Sequence, residues 1–411
     1  MHKPALLIRA LWLPALLALG ACQLTTTTPT PQAAAWSLSP TNSLSLPQAS
    51  SPSETPTAVS TATSQPTATP EGLAIDVDKN INPLTGLPML DAAILERRPV
   101  AVKITLYPRS NRPQWGLSLA DIVYEYYHNN DLTRFHAIFY GHDAAQAGPI
   151  RSARLPDDTL MDMYGSVMAY ASADYRIRER LANEHPGWQL VSILEGICPP
   201  QPVCRYDPEA FNYLLADTAA VSQYVLRGGG DATRQALEGM RFSATRPQGG
   251  EDVAQIYLRY SYADYAYWDY DAASGRYVRY QDAWEDIGGR DELYSLLTDR
   301  LTGQPIATDN VVVLYVPHFY FAYKAPANGQ PATEVVDWQL SGRGLAYAFR
   351  DGQAYELEWV VEDGQVLGLE MADGAPYPFK PGTTFFQVVN VGSQVARTDE
   401  VWRFTFEPIE N

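Results

Sequence analysis

The sequence is poor in the residues that build metal sites and disulfide frameworks. It has three cysteines and six histidines among 411 residues. No second Cys/His pair stands at zinc-binding spacing from Cys198 and Cys204, so a structural metal is a poor interpretation. We predict neither a metal nor a cofactor. In an exported chain we expect Cys198 and Cys204 to form a local disulfide, whose small loop gives it a modest stabilising effect.

Basic residues are also scarce. The chain carries 30 Lys and Arg against 47 Asp and Glu, a net charge of −17, and no basic patch stands out. We therefore predict no nucleic-acid partner. A polyanionic polymer is repelled by the chain as a whole, and only a local arginine cluster gives it a place to bind.

The N-terminus lacks an apolar run long enough to span a membrane. Residues 10–19 are apolar, about half of the ~20 residues that a spanning helix needs. They are followed by Leu-Gly-Ala-Cys, which resembles the bacterial lipoprotein signal, where the chain is cut before a cysteine that receives lipid. We predict a signal peptide over residues 1–21 and lipidation of Cys22. The alternative is an ordinary signal peptide with a chance cysteine.

Apolar residues are again scarce from residue 22 to residue 71, where Thr, Ser, Pro, Ala and Gln dominate. Such a segment cannot bury enough apolar surface to fold, so we predict a disordered tether. Strands then alternate with helices over residues 72–247, which predicts an α/β domain. From residue 248 to residue 411 many strands and Asp-Gly turns predict a mostly antiparallel β domain. The predicted fold class is α+β.

Within the first domain the pattern predicts three helices and a hairpin. Residues 157–164 and 174–183 are helical in character, and residues 209–226, which follow Pro208, form the best helix of the chain. Residues 122–127 and 133–140 are rich in β-branched and aromatic side chains and are joined by a short polar link, so they read as a hairpin.

Residues 112–154 contain this hairpin and carry the candidate site. A turn bearing Arg151 and Arg154 follows the hairpin, whose second strand contributes Arg134. Arginine forks suit carboxylate or phosphate, so these side chains predict an anion pocket if hairpin and turn meet. Asp121 and Glu125 either belong to this pocket or pair with the arginines as ion pairs that lock the fold.

Ser152 stands between two of these arginines. A serine nucleophile needs a base within reach, and no GxSxG motif surrounds this one. We favour a hydrogen bond within the turn and predict no catalytic residue. A histidine–carboxylate metal site of His136 with Asp131 or Asp143 is a weaker alternative. The crowd of tyrosines over residues 257–280 predicts either an aromatic platform for a glycan or partner, or cross-strand packing.

Several motifs in order carry a family resemblance. They are NPLTGLP (82–88), RPVAVKI (98–104), RPQWGLSLADIVYE (112–125), TRFHAIF (133–139), GPIRSAR (148–154) and FKPGTTFFQVV (379–389). The chain resembles the YerB-like family of bacterial lipoproteins, which is built on a paired domain of unknown function. The resemblance implies two domains and an envelope location, and it implies no reaction.

These observations predict a lipid-anchored binding or scaffolding protein on the extracytoplasmic face of the cell membrane. The expected partners are the membrane, through the N-terminal lipid, and an envelope protein or a cell-wall glycan. The alternative is an envelope hydrolase that acts on an anionic or glycan substrate at residues 112–154. Because no complete catalytic set is present, we favour a protein that is not an enzyme.

Overall fold

Strands far outnumber helices in the computed structural model of the chain. It describes residues 80–192, 201–206, 214–289, 291–325 and 333–409, all within the compact unit of residues 71–411. The predicted signal peptide, Cys22, the tether and Cys198 lie outside these residues. No helix in the described ranges is long and apolar enough to cross a membrane.

The described α-helices are α1 (Pro156–Tyr164), α2 (Tyr175–Glu184) and α3 (Thr218–Arg227). The strands up to residue 252 are β1 (Val100–Thr105), β2 (Ile122–Asn129), β3 (Leu132–Phe139), β4 (Val167–Ala169), β5 (Leu190–Val191), β6 (Val203–Arg205), β7 (Leu214–Ala216), β8 (Arg241–Phe242) and β9 (Glu251–Asp252). Those up to residue 338 are β10 (Gln255–Arg259), β11 (Tyr265–Asp271), β12 (Arg276–Asp282), β13 (Tyr294–Leu296), β14 (Ala307–Thr308), β15 (Asn310–Tyr315), β16 (His318–Lys324) and β17 (Thr333–Trp338). The remainder are β18 (Gly342–Arg350), β19 (Gln353–Val361), β20 (Gly368–Glu370), β21 (Pro378–Phe379), β22 (Thr384–Val389), β23 (Gln394–Thr398) and β24 (Val401–Thr405).

The largest sheet joins strands from both parts of the chain. Its order is β20-β19-β18-β15-β22-β2-β3-β1-β4-β5, with β9 beside β19. The central junction is a parallel pairing of β2 with β22, in which Ile122 lies opposite Thr384. A second sheet has the order β13-β12-β11-β10-β24-β23, with β14 beside β12. The fold is thus mostly β, in mixed and antiparallel sheets, and the division at residue 248 stays a prediction.

Neighbouring side chains of β2 point to opposite faces of the large sheet, and both faces are covered. Glu125 points to the face covered by the second sheet, where it meets Arg279. Tyr126 points to the opposite face, where it meets Asp157 of α1. This alternation follows from the pleat of a strand, which sends successive side chains to opposite sides. It decides which of the predicted site residues can meet.

The hairpin and two helices are confirmed. Strands β2 and β3 pair antiparallel as predicted, and the link places Asn130 and Asp131 in the left-handed region. Helix α2 begins after Asp174, whose side chain accepts a hydrogen bond from the backbone N–H of Arg176. Helix α1 ends at Tyr164, followed by left-handed Gly165.

The helix predicted over residues 209–226 is wrong over residues 214–217. Residues 209–213 lie outside the described ranges, and Leu214–Ala216 is the strand β7, paired antiparallel with β6. The helix begins only at Thr218, because the Asp217 side chain accepts from the backbone N–H of Ala220 and so caps it there. Residues 218–226 are helical as predicted.

Candidate functional site

Three arginines converge on the face of the large sheet that α1 covers. Arg134 lies on β3, opposite Tyr126 of β2. Arg151 and Arg154 lie in the loop before α1, which runs beside β1 and is held there by the backbone N–H of Arg151 donating to Lys103 O over 2.9 Å. We call Arg134, Arg151 and Arg154 the arginine cluster. The predicted meeting of hairpin and turn is what the structure has.

Backbone carbonyls hold the guanidinium groups of Arg134 and Arg154. Arg134 Nη1 donates to Ser152 O over 2.7 Å, and Arg154 Nη1 donates to Ala153 O over 2.9 Å. Among the described residues no carboxylate forms an ion pair with any of the three. All three residues are partly exposed. None of their side-chain nitrogens is both buried and without a hydrogen-bond partner. The cluster therefore presents donors to an incoming anion.

The pKa values of the arginine cluster are lowered by burial, and for Arg134 and Arg154 also by neighbouring positive charges. Burial lowers the pKa of Arg134 well below its usual range, and repulsion from Arg154 and Arg151 lowers it further. Burial also lowers the pKa of Arg154 and of Arg151. An anion bound among these groups relieves both the repulsion and the loss of hydration.

Behind the arginine cluster lies a buried polar cluster of Lys103, Tyr126, His136 and Asp157. Asp157 Oδ1 accepts from Lys103 Nζ over 2.9 Å and lies 2.8 Å from His136 Nδ1, and the Tyr126 hydroxyl bonds to both Lys103 and Asp157. Asp157 Oδ2 accepts from the backbone N–H of Arg154 over 2.6 Å. Asp157 thus links the buried polar cluster to the arginine cluster.

Burial and the charge of Asp157 determine the pKa shifts within the buried polar cluster. Burial lowers the pKa of Lys103 to about 7, while the nearby Asp157 opposes this. The pKa of Asp157 is lowered, because Lys103, His136 and Tyr126 together outweigh the burial that would raise it. Burial lowers the pKa of His136, so its ring is neutral at neutral pH. Lys103 is therefore the group whose charge changes near neutrality.

The predicted carboxylates are placed elsewhere. Glu125 accepts from Arg279 Nη2 over 2.7 Å and from the Thr133 hydroxyl over 2.8 Å, on the opposite face of the sheet. Asp121 accepts from the backbone N–H groups of Tyr140 and Gly141 over 2.6 and 3.0 Å. Both acids are used within the fold, and neither pairs with the arginine cluster.

Ser152 lies between the arginines as predicted, and its carbonyl rather than its hydroxyl is engaged. That carbonyl accepts from Arg134. Neither a histidine nor a carboxylate hydrogen-bonds to the Ser152 hydroxyl within the described part of the chain. The activation that a serine nucleophile requires is therefore not present there. No group of three or more His, Cys, Asp or Glu suited to a metal ion occurs among the described residues either.

Of the two cysteines predicted to form a disulfide, the described residues include Cys204. Cys204 lies in β6 and is buried. Cys198 lies outside the described residues. The disulfide between them stays a prediction.

The tyrosines of the second sheet form a cross-strand stack. The rings of Tyr257 and Tyr267 lie 4.9 Å apart, those of Tyr267 and Tyr280 lie 4.6 Å apart, and both pairs are nearly parallel. Arg403 covers the free side of Tyr257 at 4.6 Å. Rings stacked face to face offer edges and hydroxyls to solvent rather than flat faces, which favours the packing interpretation.

Sequence reasoning missed Lys103 and the role of Asp157. Lys103 stands within the apolar strand β1, and its side chain is fully buried. A lysine in an apolar strand is a usable signal, because a buried lysine needs a partner. Asp157 is the first residue of the helix predicted over residues 157–164, where an acid usually complements the helix dipole. Its buried contacts depend on strands more than twenty residues away in sequence.

Comparisons with known proteins agree on one family. Two models described as "Protein of unknown function (DUF3048)" match this chain, the N-terminal domain at residues 84–193 and the C-terminal domain at residues 256–386. The chain is 26% identical over 319 residues to "Putative lipoprotein YerB" of Bacillus subtilis (strain 168), over 75% of this chain and 85% of that protein.

A solved structure shows the same fold. The crystal structure of YerB protein from Bacillus subtilis matches with a TM-score of 0.59 at 23% identity, over 76% of this chain and 97% of that chain.

Proposed function

The chain belongs to the YerB-like family of proteins that carry these paired domains of unknown function, and on that premise we propose that it is a lipid-anchored, extracytoplasmic binding protein of the bacterial envelope. The lipoprotein-like signal before Cys22, the polar tether and the name of the Bacillus relative support the anchor and the location. Lipid rather than basic residues supplies the attachment, since the net charge is −17.

The arginine cluster is the proposed ligand site. The observation that carries this proposal is the convergence of Arg134, Arg151 and Arg154 without an ion-paired carboxylate among the described residues. In most folds such guanidinium groups are matched by acids, because a desolvated charge is costly when it is unpaired. The ligand is therefore an anionic group, carried by an envelope protein or by a cell-wall glycan.

Binding of sulfate by the full-length lipoprotein in detergent tests the site, with isothermal titration calorimetry as the measurement. We expect saturable binding that weakens at least tenfold in the variant R134Q/R154Q, because each charge-assisted hydrogen bond contributes about 1.5–3 kcal/mol. The matched control is R343Q, which alters an exposed arginine of β18 that pairs with Glu370. Absence of saturable binding, or equal loss in R343Q, overturns the proposal.

The alternative function is an envelope hydrolase at residues 112–154. The buried polar cluster favours it to the extent that Lys103 changes charge near neutrality and touches Tyr126 and Asp157. Against it, the Lys103 and Asp157 side chains are fully buried, and Ser152 has no base among the described residues. Turnover of a chromogenic phosphate ester that is abolished in K103M and retained in R343Q would support hydrolysis over binding.

A further inference from the structure

Resting on the proposed function, we infer that the arginine cluster takes a doubly charged anion of the phosphate monoester class and that Lys103 takes up a proton when this anion binds.

The balance of charge around the site argues for a dianion. Arg134, Arg151 and Arg154 contribute three positive charges, and Asp157 contributes one negative charge. At the rim, Asp174 pairs with Arg176 over 2.8 Å, so these two cancel. With Lys103 neutral, the site therefore carries two uncompensated positive charges. A doubly charged phosphate monoester or sulfate offsets more of this positive charge than a singly charged carboxylate or phosphate diester does, both before and after Lys103 takes up its proton.

Hydrogen bonds connect Lys103 to the arginine cluster by two routes. The Lys103 carbonyl accepts from the backbone N–H of Arg151 over 2.9 Å. Its Nζ donates to Asp157 Oδ1 over 2.9 Å, and the other oxygen of that carboxylate accepts from the backbone N–H of Arg154 over 2.6 Å. Lys103 is thus hydrogen-bonded directly to the backbone of Arg151, and to the backbone of Arg154 through Asp157.

The charges that face Lys103 come from every element packed against it. These are Tyr126 of β2, Arg134 and His136 of β3, Asp157 of α1 and Arg154 of the preceding loop. Repulsion from Arg134 and Arg154 contributes to the lowered pKa of Lys103. An anion bound to these arginines offsets that repulsion and stabilises the ammonium form. By reciprocity, the protonated protein binds the anion more tightly.

Two buried histidines are the competing proton acceptors. His136 Nε2 and His128 Nδ1 have no hydrogen-bond partner among the described residues. Burial lowers the pKa of both rings, and of the two only His136 contacts Asp157. Substitution of Lys103 therefore distinguishes proton uptake by the lysine from proton uptake by the two histidines.

The experiment uses sulfate as the probe, because it remains a dianion at neutral pH and brings no titration of its own. Calorimetry of the full-length lipoprotein in buffers of different ionisation enthalpy measures the protons taken up on binding. Just above the pKa of about 7, we expect net uptake of part of one proton and an affinity that falls with pH by at most about tenfold per unit. K103M is expected to bind sulfate without this uptake.

A second measurement covers the case in which K103M fails to fold. The chain has only five lysines, so the Nζ signal of Lys103 can be followed by NMR in protein labelled with nitrogen-15 lysine. Its titration midpoint is expected to rise when sulfate is added. Methyl phosphate is expected to bind at least tenfold more tightly than dimethyl phosphate, which has one charge.

The outcomes separate the two proposals. No sulfate binding removes the binding site itself and this inference with it. Binding without proton uptake, or with an unshifted Lys103 midpoint, overturns the proton linkage and leaves the binding site standing. Equal affinity for methyl and dimethyl phosphate overturns the preference for a dianion.

Discussion

Arg279 of β12 donates to Glu125 of β2 over 2.7 Å, and both side chains are fully buried between the two sheets. The guanidinium group also lies 5.2 Å from the ring centres of Phe135 and Trp268. This pair belongs to a buried polar network between the sheets, in which Arg279 also donates to Gln281 and the Thr133 hydroxyl contacts both Glu125 and Asp264. Its contribution depends on both partners being present, because either charge alone is left without hydration.

Glu125→Ala is expected to lower the free energy of unfolding by about 3–5 kcal/mol, because it leaves the Arg279 charge buried and unpaired. Urea denaturation at neutral pH measures the loss. The double variant Glu125→Leu, Arg279→Met removes both charges and is expected to lie closer to the wild type than the single variant does. A loss below about 1 kcal/mol in Glu125→Ala would contradict the assignment, since that is the scale of an exposed pair.

Lys103 gives the folded protein a defined pH dependence. Its pKa falls from 10.5 to about 7 on folding. Between these values the unfolded chain holds a proton that the folded chain lacks, so stability rises with pH across this window. The slope from this one group is at most about 1.4 kcal/mol per pH unit.

Lys103→Met is therefore expected to flatten the rise of stability between pH 7 and pH 10 relative to the wild type. Urea denaturation of both proteins at a series of pH values gives the difference, in which groups common to both cancel. Parallel curves for the two proteins would show that Lys103 does not titrate in this window.

Asp131, in the turn of the β2–β3 hairpin, has a left-handed backbone conformation. Asp131 has φ 61°, and its backbone carbonyl, not its carboxylate, accepts from the Ser261 hydroxyl. Asp131→Gly is expected to raise the free energy of unfolding by up to about 1 kcal/mol, because glycine adopts this φ without steric cost. Asp131→Val is the matched contrast and is expected to destabilise the fold. Denaturation midpoints check both, and a more stable valine variant would contradict the turn.

Cys22→Ser tests the anchor. We expect the variant to leave the membrane fraction and to appear in the extracytoplasmic fluid, because the tether lacks the basic residues that bind anionic lipid. Fractionation with immunodetection measures this, and precursor size must be checked, since an uncleaved apolar segment also retains the chain. Fully processed Cys22→Ser protein that still sediments with membranes would show that the folded unit makes the attachment.

Local structure was the most predictable part of this protein. The hairpin of β2 and β3 and the helices α1 and α2 follow from β-propensity, capping residues and short polar links, all of which act over a few residues. The arginine cluster was predicted because its members lie within twenty-one residues of sequence. Glu125 lies on the opposite face of the large sheet from the arginine cluster, because successive side chains of a strand alternate between faces. Which face each layer covers was not known from the sequence.

Long-range pairing was not predictable from one sequence. The parallel pairing of β2 with β22 carries no local signal, because register between distant strands depends on which faces the rest of the fold covers. The same holds for the burial of Asp157 against Lys103, where an acid in the first turn of a helix looked like an ordinary dipole partner.

The β2–β22 junction also constrains when this protein can fold. Ribosomes make the chain from its N-terminus at about 5–20 residues per second, so β2 emerges well before the strand that completes its sheet. Until residue 384 follows, β2 presents an open edge that invites wrong pairing. Closure of the sheet by β22 is therefore the step before which the incomplete chain is most open to edge-to-edge association.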